Sequence, residues 1–140
     1  MDTNNFTQIM AERIRTALAD AGISVPVYAE VESEHVNGNC VRIATQSVDD
    51  LIPGNYTADC RGTVECRVSA AGVSGQEAAQ QVHRLTECVV AGLRTIHRME
   101  EPNGPGEAPQ VVHFVFSVSE ASTENPYYIY GISWRAVLQF

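Results

Sequence analysis

A chain of 140 residues and 15.3 kDa fits one domain, 1–140, and folding at this size buries roughly 70% of the surface the unfolded form exposes, enough for a core without disulfides or metal. With 17 acidic side chains against nine basic ones, all arginine, and a net charge of −8, the composition argues against gripping nucleic acid, because that affinity comes from cations that displace counterions. At 44% hydrophobic and 19% charged it is too apolar for a disordered protein.

Residues 4–21 carry Phe6, Met10, Ile14, Ala17, Leu18 and Ala21 at helical spacing, with Thr3 or Asn4 to cap the start and Gly22 to stop the helix. After Pro26, the run Val27 to Glu32 alternates with period two. Asn37-Gly38 is the dipeptide of a tight hairpin turn, so a partner strand is expected over 39–45. Asp49, Asp50, Pro53, Gly54 and Asn55 then read as a polar loop over 46–55. From Tyr56 to Ala70 the even positions are apolar or small and the odd ones polar, a strand on the order of 50 Å long that must bend at Gly62 or outrun the domain body.

Ser74-Gly75-Gln76-Glu77 is a capping box, and Ala78, Val82, Leu85, Val89, Leu93 and Ile96 form the apolar stripe of the helix it opens, running to Arg98. Arg94, His97 and Arg98 fall where positive charge meets the carbonyl end of the helix dipole. Met99 to Pro109, with Pro102, Gly104, Pro105 and Gly106, reads as loop. Two alternating strands close the chain, 111–119 and 128–140, with a polar loop over 120–126. The expected fold is α+β: two helices on one face of a largely antiparallel sheet, in the order α-β-β-β-α-β-β.

No local arrangement points to chemistry. Four histidines and four cysteines, at 40, 60, 66 and 88, contain no C-x-x-C and no H-x-x-x-H, and Cys60 and Cys66 stand roughly 20 Å apart along one strand, so no metal site is expected. The cysteines read as free thiols in the core. There is no nucleophile elbow, P-loop or dinucleotide fingerprint, and no cofactor is expected. The acid pairs Asp49-Asp50 and Glu100-Glu101 sit beside prolines in solvated loops. Asp2, Glu12, Arg13, Arg15 and Asp20 interrupt any signal-peptide core, and no run approaches eighteen apolar residues. The expectation is therefore cytoplasmic synthesis and no membrane role.

The long strands carry more information than the polar residues. Strands that outrun the core leave edges that must be charged, covered or paired. Asp59, Arg61, Glu65 and Arg67 alternate in sign on one strand face, which suits a solvated surface or ion pairs across a subunit boundary. Arginine without lysine leans toward the boundary.

The element order, the strand texture Gly62-Thr63-Val64-Glu65-Cys66-Arg67-Val68, the alanine-rich helix and the closing run Gly131-Ile132-Ser133-Trp134-Arg135-Ala136-Val137-Leu138 resemble the tail terminator and tail-completion proteins of long-tailed bacteriophages. The resemblance implies a structural virion protein of the tail or neck, assembled in the bacterial host cytoplasm, with no catalysis. It implies a homo-oligomeric ring, of six subunits, that ends the tail tube and receives the head connector or stopper protein. Sheets would form its inner wall, neighbours would pair along their edges, and DNA would pass through the lumen without specific binding, eased by acidic charge. On that reading Asp49 and Asp50 are candidates for the lumen or an end face, and Glu120 and Glu124 for a docking loop. The alternatives are a head-completion or stopper neck protein, a small module that binds peptides along a β-edge, and an enzyme using His83, Glu87 and Cys88.

Overall fold

The computed structural model describes residues 4–30, 38–52, 57–96, 110–119, 121–124 and 126–139. Helix α1 spans Asn4–Asp20, and strands β1, β2 and β3 span Val27–Ala29, Cys40–Ile52 and Thr57–Ser69. Helix α2 spans Gly75–Leu93, and β4, β5 and β6 span Gln110–Val118, Ser122–Glu124 and Tyr127–Gln139. The strands form one sheet in the order β1-β2-β3-β6-β4, with β5 paired to β6. All pairings are antiparallel except β1 with β2. This is the expected α+β fold.

The apolar stripes do the covering. Phe6, Met10, Ile14 and Leu18 of α1 and Ala78, Val82, Leu85, Val89 and Leu93 of α2 are buried against Val64, Cys66, Ile132, Trp134, Ala136 and Leu138 of the two central strands. The capping box forms as read, with the Ser74 hydroxyl accepting from the Glu77 amide at 3.1 Å. Gly92 brings the helices together: a Cβ there would lie 2.9 Å from the Arg13 carbonyl oxygen.

Four boundaries differ from the sequence reading. The expected 27–32/39–45 hairpin is a parallel pair instead, Val27 opposite Val41 and Ala29 opposite Ile43. Alternation records which face is buried and is blind to strand direction. Glu30 ends β1 after three residues with φ +56°, and its carboxylate accepts from the Thr45 hydroxyl at 2.5 Å, so a side chain takes over where the neighbouring strand stops. Asn37 lies outside the described residues.

The supposed loop over 46–55 is strand as far as Ile52. Asp49 and Asp50 are poor strand formers, but β3 holds them across the ladder, opposite Asp59 and Ala58. Helix α2 ends at Leu93 and not Arg98. The amides of Thr95 and Ile96 bond three residues back, to Gly92 and Leu93, which tightens the turn and drives Ile96 into the core. Arg13 of α1 then donates to the Thr95 carbonyl at 2.9 Å. His97, Arg98 and the 99–109 loop lie outside the described residues. Finally, part of the 120–126 loop is strand: β5 runs alongside β6 in the same sense as β4, Glu124 opposite Tyr127.

At Gly62 β3 runs on against β6 without a register shift, and the irregularity lies on β2. Opposite Gly62 β2 carries a register shift between Thr45 and Ser47, and Trp134 is the glycine's partner on β6. A Cβ at Gly62 would collide with the Ala44 carbonyl oxygen and lie 2.5 Å from Trp134 Cζ2. The indole fills the space that the missing side chain leaves, with the Phe6 ring centroid 5.9 Å away. Gly62→Ala is expected to lower stability by about 3 kcal/mol or more, since the clash is with backbone and a packed ring. Urea unfolding followed by the fluorescence of Trp134, the sole tryptophan, measures it.

Candidate functional site

The sheet face away from the helices holds the charged residues that the alternation set apart. Register brings together side chains distant in sequence: Arg42 opposite Glu65, and Arg61 opposite Arg135. Asp59 is only 6% exposed and accepts from Arg135 Nε at 2.9 Å and Nη2 at 3.0 Å. Arg61 Nη2 lies 3.5 Å from the same carboxylate. The Arg135 hydrogen bonds hold the Asp59 carboxyl below its ordinary range, against the effect of burial, and in turn raise Arg135. Arg42 stands 3.8 Å from Glu65, and Arg67 stacks on the Tyr127 ring at 4.5 Å.

Of the four residues read from sequence, Asp59, Arg61 and Glu65 thus find ion-pair partners inside the chain, two of them outside that set. Those partners, Arg135 and Arg42, were not singled out in the sequence. The missing signal was register, because no local pattern says which strands become neighbours. Counting strand parity, this face carries Arg42, Arg61, Arg67 and Arg135 against Asp49, Asp59, Glu65 and Glu124. It is electrically balanced, while the remaining acids outnumber the remaining arginines thirteen to five. Across β2, β3, β6 and β4 lies a hollow of about 450 Å³ whose lining includes Gln46, Arg61, Arg135, Ser117 and Ser133.

Asp49 is exposed on the same face, in the part of β2 that β1 does not cover. Glu124 is exposed at the end of β5. The backbone of Asp50 is in β2, and Glu120 lies outside the described residues.

The sheet's two edges are unlike. On one side, β1 is three residues long, Glu30 caps its end, and β2 beyond it is irregular and acidic. On the other side, β4 carries no charged residue over its nine positions, and Val115 and Val118 are 44% and 45% exposed. Soluble proteins rarely leave so long an uncharged edge uncovered.

The enzyme candidates are poorly housed. His83 Nε2 lies 3.0 Å from Glu87 Oε1, each side chain more than 60% exposed, and Cys88 is half-buried on the next position of the helix. Burial pushes the Cys60 thiol up to about 11 and that of Cys66 up to about 12, so neither supplies a thiolate at neutral pH. Among the described residues no cluster of three or more metal-ligating side chains occurs, and no helix is long and apolar enough to cross a membrane.

A scan against protein-family profiles finds no match, and a search of curated protein sequences finds none. Solved structures do match. One, whose name states no function, has a TM-score of 0.58 and 17% identity, covering 100% of this chain and 97% of its own. Another is a chain of the virion of a native gene transfer agent particle, with a TM-score of 0.54 and 14% identity, covering 94% of this chain and 92% of its own. At these identities what is shared is the fold.

The folded Asp59 titrates below the unfolded value of about 3.9, so its stabilisation is complete above that value and is lost as pH falls through the depressed one. Asp59→Asn is therefore expected to lower the melting temperature at pH 7, with the gap from wild type shrinking toward acid pH and not toward alkaline pH. Calorimetry between pH 2.5 and 8 tests it; a gap constant over that range would refute the assignment.

Proposed function

We propose that the chain is a structural protein of a phage-like virion, and within that class a tail terminator: a ring of six copies that ends the tail tube, joins it to the head connector or stopper protein, and lets DNA pass. The observation that carries this reading is the shared fold, over 94% of the chain, with a chain of the gene transfer agent virion. The uncharged β4 edge supports it, because it is the surface a self-assembling sheet leaves free for a neighbour. The chain acts by assembly and not catalysis, in the virion after assembly in the host cytoplasm.

With sheets forming the inner wall, the helix-free face would line the passage. Its charges are balanced and largely paired, so it presents little net field to a passing polyanion. Asp49 would then lie at the wall's margin and Glu124 near a contact loop. Capture of an extended peptide on β4, the second reading, draws on the same uncharged edge; a one-to-one complex without self-assembly would favour it.

Native mass spectrometry distinguishes these readings. The expected species is about 92 kDa, six times the 15.3 kDa subunit. A strict monomer at micromolar concentration, with tail-tube protein present, overturns the ring.

Val118→Lys puts a charge on the exposed edge without touching the core. It should disperse the ring while leaving the melting temperature of the subunit unchanged, as read by sedimentation and calorimetry. An intact ring would remove β4 from the subunit boundary.

A further inference from the structure

The ring reading leaves β4 without a named partner strand, and one stretch of this same chain fits it. β1 covers β2 only at Val41, Arg42 and Ile43, so over 46–52 the outer side of β2 has no strand beside it among the described residues. β4 is the outer strand at the sheet's other margin. Val48, Val115 and Val118, the large apolar side chains left exposed among the described residues, all lie on these two strands. Each margin therefore offers unpaired backbone and exposed valine to something outside the chain.

The register of the sheet puts the two margins in step. Asp49, Asp59, Val137 and His113 form one row across β2, β3, β6 and β4, and Ser47, Arg61, Arg135 and Val115 form another on the same helix-free face. Between them, on the helix side, Val48, Cys60, Ala136 and Phe114 are aligned. Three antiparallel pairings separate β2 from β4, so these two strands run in opposite directions. A second copy set beside the first in the same orientation thus brings its β2 antiparallel to β4, with its Asp49 opposite His113 and its Val48 opposite Phe114. The backbone agrees. Pairs along such a row alternate between hydrogen-bonded and not, so with four strands the first and last residues either both turn their N–H and C=O outward or both turn them inward. The match stops near Thr45, where β1 and the Glu30 carboxylate already occupy the edge of β2.

Side chains complete the fit. His113 and Asp49 are both exposed, and neither makes a hydrogen bond or ion pair among the described residues. Within its own chain Asp49 stands across from Asp59, whose carboxylate is taken by Arg135 and Arg61. An imidazole N–H across the boundary is a donor suited to the Asp49 carboxylate.

We infer that β4 of one copy adds as an antiparallel strand to the 46–52 stretch of β2 in the next, His113 opposite Asp49, so that one sheet runs on from subunit to subunit. This rests on the ring reading and names the strand that receives β4. A second copy is favoured over an extended peptide because the two margins agree in direction, register and side chains, the condition for a head-to-tail contact that repeats until it closes. Two β4 strands paired about a two-fold axis would leave the β2 margin bare.

Disulfide trapping tests the register. Every variant carries Cys88→Ala, since the other three cysteines are buried, and each is checked for wild-type folding by Trp134 fluorescence. Opposite residues of an antiparallel pair have Cα atoms about 4.5–5.5 Å apart, within the range of roughly 4.4–6.8 Å that a disulfide spans. Asp49→Cys and His113→Cys proteins, mixed and oxidised with copper phenanthroline, should therefore give a reducible dimer on a denaturing gel, and neither alone should. The chain carrying both should give a ladder ending at about 92 kDa, six times the 15.3 kDa subunit. Asp49→Cys mixed with Ser117→Cys, four residues and about 13 Å along β4, should cross-link at least about tenfold more slowly. Ser47→Cys with Val115→Cys, the next matched row on this face, repeats the measurement with both polar residues left in place.

Wild type that forms the ring while neither matched pair cross-links overturns the strand pairing and leaves the ring standing. His113→Cys that cross-links to itself shows two β4 strands meeting and also overturns it, as does equal trapping at Ser117. Wild type that stays monomeric overturns the ring reading, and the pairing with it.

Discussion

A slip of one residue between β3 and β6 would turn one of them over, carrying either Asp59 and Arg61 or Arg135 toward the helices and exposing either Cys60 or Ala136 and Leu138. The pairing of these two strands is the constraint on which the rest depends. They run opposite each other over thirteen residues without a register shift, from Thr57 against Gln139 to Ser69 against Tyr127. Because side chains alternate with period two, that single register assigns every residue on both strands to the core or to the polar face. The core then selects the helical stripes that fit it, and the polar face receives its ion pairs as a consequence.

Two central strands of this length cannot stay flat under two helices. Register shifts fall between Thr45 and Ser47 and between Asp50 and Ile52 on β2 and between Val111 and His113 on β4, and the first of them meets the bare backbone of Gly62 and the indole of Trp134. Filling a glycine's gap with an aromatic ring from the next strand keeps the sheet covered where it bends. Beyond that point β2 continues along β3 where β1 does not reach it, while β6 and β4 continue the sheet on the other side of β3. The two edges thus differ, one short and acidic and the other uncharged.

Much of this was legible in the sequence. The stripes of α1 and α2, the Ser74 cap, the buried set on β3 and the free cysteines follow from periods of 3.6 and 2 and from residue chemistry. What escaped was relational. Period two cannot distinguish a parallel neighbour from an antiparallel one, so β1 was read as half of a hairpin. Gln46 to Asp50 look like loop because their strand character comes from β3, and Ser122 to Glu124 because theirs comes from β6. The same limit applied to the polar face. Asp59 could be seen as a charge on a strand, but its partner lies 76 positions away and is chosen by strand order.

Net charge is equally relational. Under the resemblance to tail terminators, the net charge of −8 implied an acidic passage that pushes DNA away. The helix-free face instead offsets four carboxylates with four arginines, most of them already engaged. A strongly acidic wall would repel DNA but would also repel the same wall on five other copies around a ring, at a separation comparable to the screening length of about 10 Å. In the proposed ring, balanced charge would relieve that repulsion between neighbouring subunits and would leave only a small field inside the passage. In that ring, closure and free passage would make the same demand on this face, and cross-strand pairing of arginine with carboxylate would meet both.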